Sequence, residues 1–455
     1  HVWWGPAGDY LYMIDAPTEE SVMRLVRIDA RTGRTTLLVE EPSSTHVGPS
    51  PDLDGLPNVR ILSSGDFVWY SERSGWGHLY YHNGSDGRQL HPITHGDWLV
   101  RNVLHVDSDE RYIYFSASGR ESDRSIYNRK LYRAALDGSG VELLTPEPGD
   151  HDVAASLPPE YHIAEFYGIQ FPASFSPDGS FFVDRFGAAD QPESWLLRRN
   201  DGAIVSELAV TDYAPLPPFT MPEVVSVRSA DDEWDLYGVI LKPGSFDPNE
   251  RYPVIDSIYP GPQVIRQPTF FSGEQGGRDG AVMGQAQALA DLGFIVVIVD
   301  GRGTPLRSKA FRELSYRRME SAGTLEDHIA AIRQMAANRP YMDLDRVGIY
   351  GSSGGGFSTA HAVFDFPDFF KVGVASAGNH EQRAYLSTWG GTYHGPFGEV
   401  DYDKVFAGRN AEMLQGRLLL AHGELDDNVH PAGTMRLVDA LIKAGKQFDM
   451  LIMPN

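Results

Sequence analysis

The chain has 455 residues, a net charge of −23, an apolar fraction of 42% and no cysteine. That length has room for two or three domains, each with a full core. The acidity argues against a nucleic-acid partner, which needs clustered Lys and Arg; the cysteine count excludes disulfides, thiolate metal sites and cysteine nucleophiles; and no run nears 18 apolar residues, so no membrane span is expected.

The chain opens at His1-Val2-Trp3-Trp4 with no initiator Met, basic n-region or signal peptide, and ends at Pro454-Asn455 directly after a strand-like run. Both ends look cut, and the chain reads as an internal fragment whose missing signal peptide says nothing about export.

Up to about residue 218, short alternating strand candidates recur. Strands are expected at 10–14, 67–71, 112–116 and 181–185, each followed by a second at 25–28, 78–81, 130–133 and 194–197. Turns at Thr32-Gly33, Asp86-Gly87, Asp137-Gly138 and Asp201-Gly202 follow, and third strands such as 35–39 and 141–144 close the unit. About four all-strand units, spaced roughly 40 to 70 residues apart, point to propeller blades. A stacked β-sandwich is the competing architecture, and four blades are few for a closed ring.

After the linker Pro215-Leu216-Pro217-Pro218 the pattern alternates strand and helix. Strands are expected at 238–241, 254–259, 294–299, 347–350, 372–375, 418–421 and 448–453, and helices at 281–292, 324–337, 357–364 and 433–444. The strands are nearly continuously apolar, as buried parallel strands are. The expected architecture is therefore an all-β propeller portion over 1–218 and a doubly wound, mostly parallel α/β-hydrolase domain over 219–455.

The hydrolase reading turns on Gly351-Ser352-Ser353-Gly354-Gly355, a G-x-S-x-G run between an apolar strand and a helix. That is the context of a nucleophile elbow, with Ser353 exposed at its apex. The plain alternative is a serine-glycine loop that merely joins the two elements. The fold places the acid after a later strand and the histidine last. The loop His422-Gly423-Glu424-Leu425-Asp426-Asp427-Asn428-Val429-His430 supplies the acid: Asp426 first, then Asp427, then Glu424. A carboxylate there would orient an imidazole and stabilise its charged form. No histidine follows His430, so the base is expected beyond Asn455, while His380, His394, His422 and His430 read as pocket or packing residues. The Gly354 amide is one oxyanion donor, and Tyr259, at the end of an early strand, offers a hydroxyl as the second.

These segments resemble the prolyl oligopeptidase family of serine peptidases, most closely its dipeptidyl peptidase IV-like branch. The resemblance rests on Ser71-Glu72-Arg73-Ser74-Gly75-Trp76-Gly77-His78-Leu79-Tyr80, Tyr259-Pro260-Gly261-Pro262, Asp300-Gly301-Arg302-Gly303 and the acid loop, and covers nearly the whole chain. It implies Tyr259 as oxyanion donor, Asp426 over Asp427, a structural role for the Asp300 loop, and a histidine after Asn455. It further implies that Tyr385 and Trp389 stand as aromatic walls of a substrate pocket, with Asn428 and Val429 opposite. Such a pocket suits proline or alanine beside the scissile bond. No cofactor or metal is implied. A peptide is the substrate, a homodimer and a periplasmic or exported location are expectations drawn from relatives, and the cytoplasm stays open.

Three departures qualify the resemblance. Ser352 and Gly354 stand where the family usually has aromatics, and Asn379 where it has an apolar residue. The paired glutamates by which the exopeptidase branch grips a substrate amine are expected upstream of His1. Glu19-Glu20 and Glu40-Glu41 read instead as solvated turn residues. A serine exopeptidase releasing dipeptides is thus the leading expectation. An acylaminoacyl- or endo-acting peptidase or esterase on the same fold, and a catalytically silent binding protein, are the alternatives.

Overall fold

The computed structural model describes residues 1–17, 20–51, 57–153, 174–214, 219–261, 263–271, 279–319 and 324–454. The linker 215–218, Glu19 and Pro262 therefore lie outside the described residues. The chain divides into two compact units, one formed by His1–Tyr213 with Leu306–Ala310, the other by most of Ala214–Asn455.

Among the described residues the first unit holds four antiparallel sheets, each of four strands hydrogen-bonded in chain order. They comprise Val2–Trp4, Tyr10–Asp15, Val22–Asp29 and Thr35–Pro42; Arg60–Ile61, Phe67–Ser71, His78–His82 and Gln89–Pro92; Leu99–Val106, Tyr112–Ser118, Arg129–Ala135 and Val141–Leu143; and Asp150–Asp152, Phe181–Ala188, Gln191–Arg199 and Ile204–Val210. The same turn, between third and fourth strands, carries a left-handed glycine in all four: Gly33, Gly87, Gly138 and Gly202, with φ of 70°, 74°, 77° and 86°. Successive sheets pack face to face. Leu25 and Leu38 of the first meet Phe67 and Trp69 of the second; Val68 and Leu79 of the second meet Phe115 and Tyr132 of the third; Tyr114 and Leu131 of the third meet Phe182 of the fourth. This succession is that of propeller blades.

Each sheet begins with a strand that the sequence pattern had not marked. In three of the four this strand has two or three residues, too few for alternation to register. Glu40-Glu41 also departs from expectation, since it lies in the strand Thr35–Pro42. Glu41 accepts hydrogen bonds from Trp69 Nε1 (2.9 Å), Arg73 (3.1 Å) and the Ser71 hydroxyl. It is a bonded structural carboxylate.

The second unit is built on strands β1 (Glu223–Arg228), β2 (Asp235–Leu241), β3 (Tyr252–Ser257), β4 (Ile295–Val299), β5 (Met342–Ser352), β6 (Phe370–Ser376), β7 (Arg417–Gly423) and β8 (Asp449–Met453). Their spatial order is β1-β2-β4-β3-β5-β6-β7-β8. β2 runs antiparallel to β1 and β4, and every other pairing is parallel. Helices α1 (Asp279–Asp291), α2 (Leu325–Ala337), α3 (Gly354–Asp365), α4 (Ser387–His394) and α5 (Ala432–Lys443) make the connections. This is the α/β-hydrolase sheet. Every residue of β4 is buried, as its uninterrupted Ile-Val-Val-Ile-Val requires of a central strand. β1 and α4 were not expected: β1 interleaves valines with Glu, Ser and Arg, and α4 is Gly-rich. No helix among the described residues is long and apolar enough to cross a membrane.

Candidate active site

Ser353 stands between β5 and α3 with φ 57° and ψ −122°, a left-handed conformation that costs a non-glycine residue about 1–3 kcal/mol. Close approaches around it enforce the geometry. A Cβ on Gly351 would lie 2.5 Å from the Gly355 carbonyl carbon, and one on Gly355 would lie 2.3 Å from the Ile258 oxygen. The Ser353 amide is tied to the Ser376 carbonyl at 2.9 Å. Gly354 opens α3, so its N–H has no intrahelical acceptor.

Tyr259 follows the end of β3 by two residues and brings its hydroxyl to 3.5 Å from Ser353 Oγ. Its ring lies over the start of α3: a Cβ on Gly354 would stand 3.2 Å from Tyr259 Cζ. At that distance a Cβ would press on the ring without excluding it.

Asp426 lies in the loop after β7, at the same C-terminal edge of the sheet as Ser353. Its Oδ1 accepts the amides of Asn428 (3.1 Å) and Val429 (2.9 Å), which fixes the carboxylate. Its Oδ2 is 3.4 Å from His422 Nε2. Asp427 and Glu424 are exposed.

No histidine among the described residues hydrogen-bonds Ser353 Oγ. His422 is buried between the Val429 carbonyl (2.7 Å) and Thr434 Oγ1 (2.8 Å). His394 faces the Asp401 carbonyl, and the exposed His430 accepts the Ala432 amide. His380 is completely buried; burial, with His361 and His422 nearby, pushes its pKa down to about 3. It is a neutral core residue.

The expected pocket residues come together in pairs. The Tyr385 hydroxyl donates to Asn428 Oδ1 at 3.3 Å, and its ring meets Trp389 edge-on with centroids 5.7 Å apart. Val429, next to Asn428 in sequence, is buried. Asn379 is buried too, and its side chain is bonded to Gln382 at 3.3 Å. Two residues that sequence reading missed join this group. Tyr393 packs against Trp389 at 4.3 Å, and Gln263 accepts from Trp389 Nε1 at 3.1 Å. Gln263 directly follows the Tyr-Pro-Gly-Pro run, and that adjacency was the available signal.

Beneath the Tyr259 loop, buried carboxylates fix the backbone. Asp300 accepts the amides of Arg266 (2.7 Å) and Gln267 (2.8 Å), and burial pushes its pKa up to about 6. Asp256 holds His328 Nδ1 at 2.9 Å. Burial alone would depress the His328 pKa, but the Asp256 charge and hydrogen bond outweigh it and the net shift is upward. Arg302 is bonded through its amide and Nε to Asp327. The Asp300-Gly301-Arg302-Gly303 run therefore ties the segment at Arg266 and Gln267 to the start of α2.

Comparison with known proteins places this arrangement. Residues 281–455 match the model of the prolyl oligopeptidase family, and residues 1–193 that of the dipeptidyl peptidase IV N-terminal region. Over those residues the chain is similar to that family and to that region. Human dipeptidyl peptidase 8 is 28% identical over 86% of this chain and 44% of its own length. The Aspergillus flavus protein named Probable dipeptidyl peptidase 4 is 27% identical over 93% of this chain and 52% of its own. The crystal structure of Porphyromonas gingivalis dipeptidyl peptidase 4 superimposes with a TM-score of 0.80 at 25% identity, covering 99% of this chain and 59% of that one. The chain thus spans about half the length of the curated relatives it matches.

Proposed function

We propose that this chain carries the acyl-transfer site of a serine peptidase of the dipeptidyl peptidase IV-like type. The observation that supports it most is the Tyr259 hydroxyl 3.5 Å from Ser353 Oγ, on a serine held in left-handed strain. In this reading Ser353 Oγ attacks the scissile carbonyl carbon. The carbonyl oxygen, now negative, is met by the Gly354 amide and the Tyr259 hydroxyl. The serine proton passes to a general-base histidine, which then protonates the leaving amine; Asp426, fixed by two amides, orients that imidazole. Water then hydrolyses the acyl-enzyme by the same route. Tyr385, Trp389, Asn428 and Val429 form the wall for the side chain next to the scissile bond, with proline or alanine as the fitting residues.

The substrate test compares a free-amine Ala-Pro chromogenic amide with its N-acetylated form, using the protein expressed from its whole reading frame. Dipeptidyl action predicts turnover of the first and none of the second, because the amine must be gripped. Equal turnover of both would transfer the protein to the acylaminoacyl or endo-acting class on the same fold.

A further inference from the structure

We propose that Gln263 is a positioning residue that holds the Tyr259 hydroxyl ready for the oxyanion and ties it to the Trp389 wall of the pocket; this rests on the acyl-transfer reading above. One atom, Gln263 Oε1, is approached by three donors: Trp389 Nε1 at 3.1 Å, the Tyr259 hydroxyl at 3.3 Å and the Tyr393 hydroxyl at 3.4 Å. An indole N–H can only donate, so the atom facing it has to be the amide oxygen. That oxygen has two lone pairs, and three donors cannot all be served at full strength.

The indole donor is fixed in its ring plane, whereas a phenol O–H turns about its Cζ–O bond. Tyr259 has a second oxygen within reach, Ser353 Oγ at 3.5 Å. The resting hydroxyl is therefore held on an over-subscribed acceptor. As negative charge grows on the carbonyl oxygen above Ser353, the O–H swings to it, and Gln263 Oε1 keeps its other donors. The ring itself need not move, so the reorganisation is one hydrogen atom. The loop is shaped for this task. Gly261 has φ 82°, and a Cβ there would lie 2.4 Å from the Tyr393 ring. The loop consequently wraps Tyr393 closely and presents Tyr259 and Gln263 from its two ends. The amides of Arg266 and Gln267, just beyond, are pinned by buried Asp300.

The test is a double-mutant cycle on the full-length protein with the free-amine Ala-Pro amide. Gln263→Met keeps the length of the side chain but removes the acceptor. It should lower kcat about tenfold, the loss of one orienting hydrogen bond, and leave KM within about twofold. Tyr259→Phe should lower kcat by roughly 10² to 10³. In the Tyr259→Phe background, Gln263→Met should cost less than about twofold more, because the hydroxyl it serves is gone. Multiplying effects would overturn the proposal, as would a raised KM with unchanged kcat, which would make Gln263 a wall residue only. A nearly normal Tyr259→Phe enzyme would remove the oxyanion assignment itself. Gln263→Glu, closer in shape, carries the same cycle if the methionine variant does not fold. Its carboxylate should hold the Tyr259 proton and oppose the oxyanion, and a kcat as high as wild type would count against the proposal.

Discussion

The fourth sheet of the first unit and the catalytic edge of the second unit's sheet use their charged residues in opposite ways. In the fourth sheet of the first unit, Asp184 is fully buried and accepts from Arg198 Nε at 2.8 Å and His151 Nδ1 at 2.9 Å. Arg198, 1% exposed, continues to Glu147 and the Gly202 carbonyl. In the third sheet Arg129 clamps Asp150 and Asp152. These charges are paired with one another inside the fold, the bonds to Asp184 falling on its Oδ2. At the C-terminal edge of the second unit's sheet, Ser353 Oγ has one long contact, and one oxygen of Asp426 is 3.4 Å from its nearest cation-forming neighbour. Closed networks hold structure, because removing a member strands a buried charge. Groups left with bonding capacity, on a backbone strained to present them, are those that can react.

This contrast is broken most sharply by Ser353→Ala. Turnover should fall by four or more orders of magnitude, since the covalent route goes with the attacking oxygen. Fluorophosphonate labelling should vanish while the urea midpoint stays put. Retained turnover, or a collapse of stability, would place Ser353 with the structural groups. Asp184→Ala should behave the other way. It leaves Arg198 buried without its main partner, a loss of about 3–5 kcal/mol in chemical denaturation, with turnover nearly unchanged below the transition. A stability change under 1 kcal/mol would show that solvent or Glu147 serves Arg198 equally well.

Much of both units was legible because their periodicities are simple. Gly33, Gly87, Gly138 and Gly202 mark one turn four times over, and Ile-Val-Val-Ile-Val could only be a buried strand. The elbow was legible for a steric reason: Gly351 and Gly355 stand where a Cβ would meet backbone. The opening strand of each sheet was not, since Arg60–Ile61 is held by its neighbours and not by its own pattern. Glu41 was misread because its partners Trp69, Ser71 and Arg73 come from another sheet about thirty residues on. Gln263 escaped for the same reason. Its one local signal was its place after Tyr259-Pro260-Gly261-Pro262; its partners Trp389 and Tyr393 come only with the fold. Local sequence encodes pattern and strain; partnerships over long separations need the fold.

His380 tests the comparison from its weakest point, because it is a buried ionisable group in the second unit that has neither a reaction nor a counter-charge. Both ring nitrogens are buried without a hydrogen-bond partner, and burial holds the pKa near 3 against an ordinary 6.5. A histidine with a depressed folded-state pKa gives stability that is whole above 6.5 and is lost as pH falls toward 3. Between those limits the unfolded chain binds the extra proton, and this one group should remove about 1.4 kcal/mol of stability per pH unit. Asp300 acts oppositely. Its folded pKa, raised to about 6 from 3.8, makes the folded state relatively more stable as pH falls through that window. Burial depresses His78, His82 and His105 in the same direction as His380, so the wild-type profile sums many groups and the His380 contribution is read from the difference between wild type and a variant. His380→Leu removes only the destabilising term, so the variant should gain stability relative to wild type on acidification, whatever fixed packing cost it carries. Urea midpoints at pH 7, 6 and 5 measure this directly. Parallel profiles for the two proteins would mean that His380 takes up its proton inside the folded core, and the closed-network rule would then fail where burial is most complete.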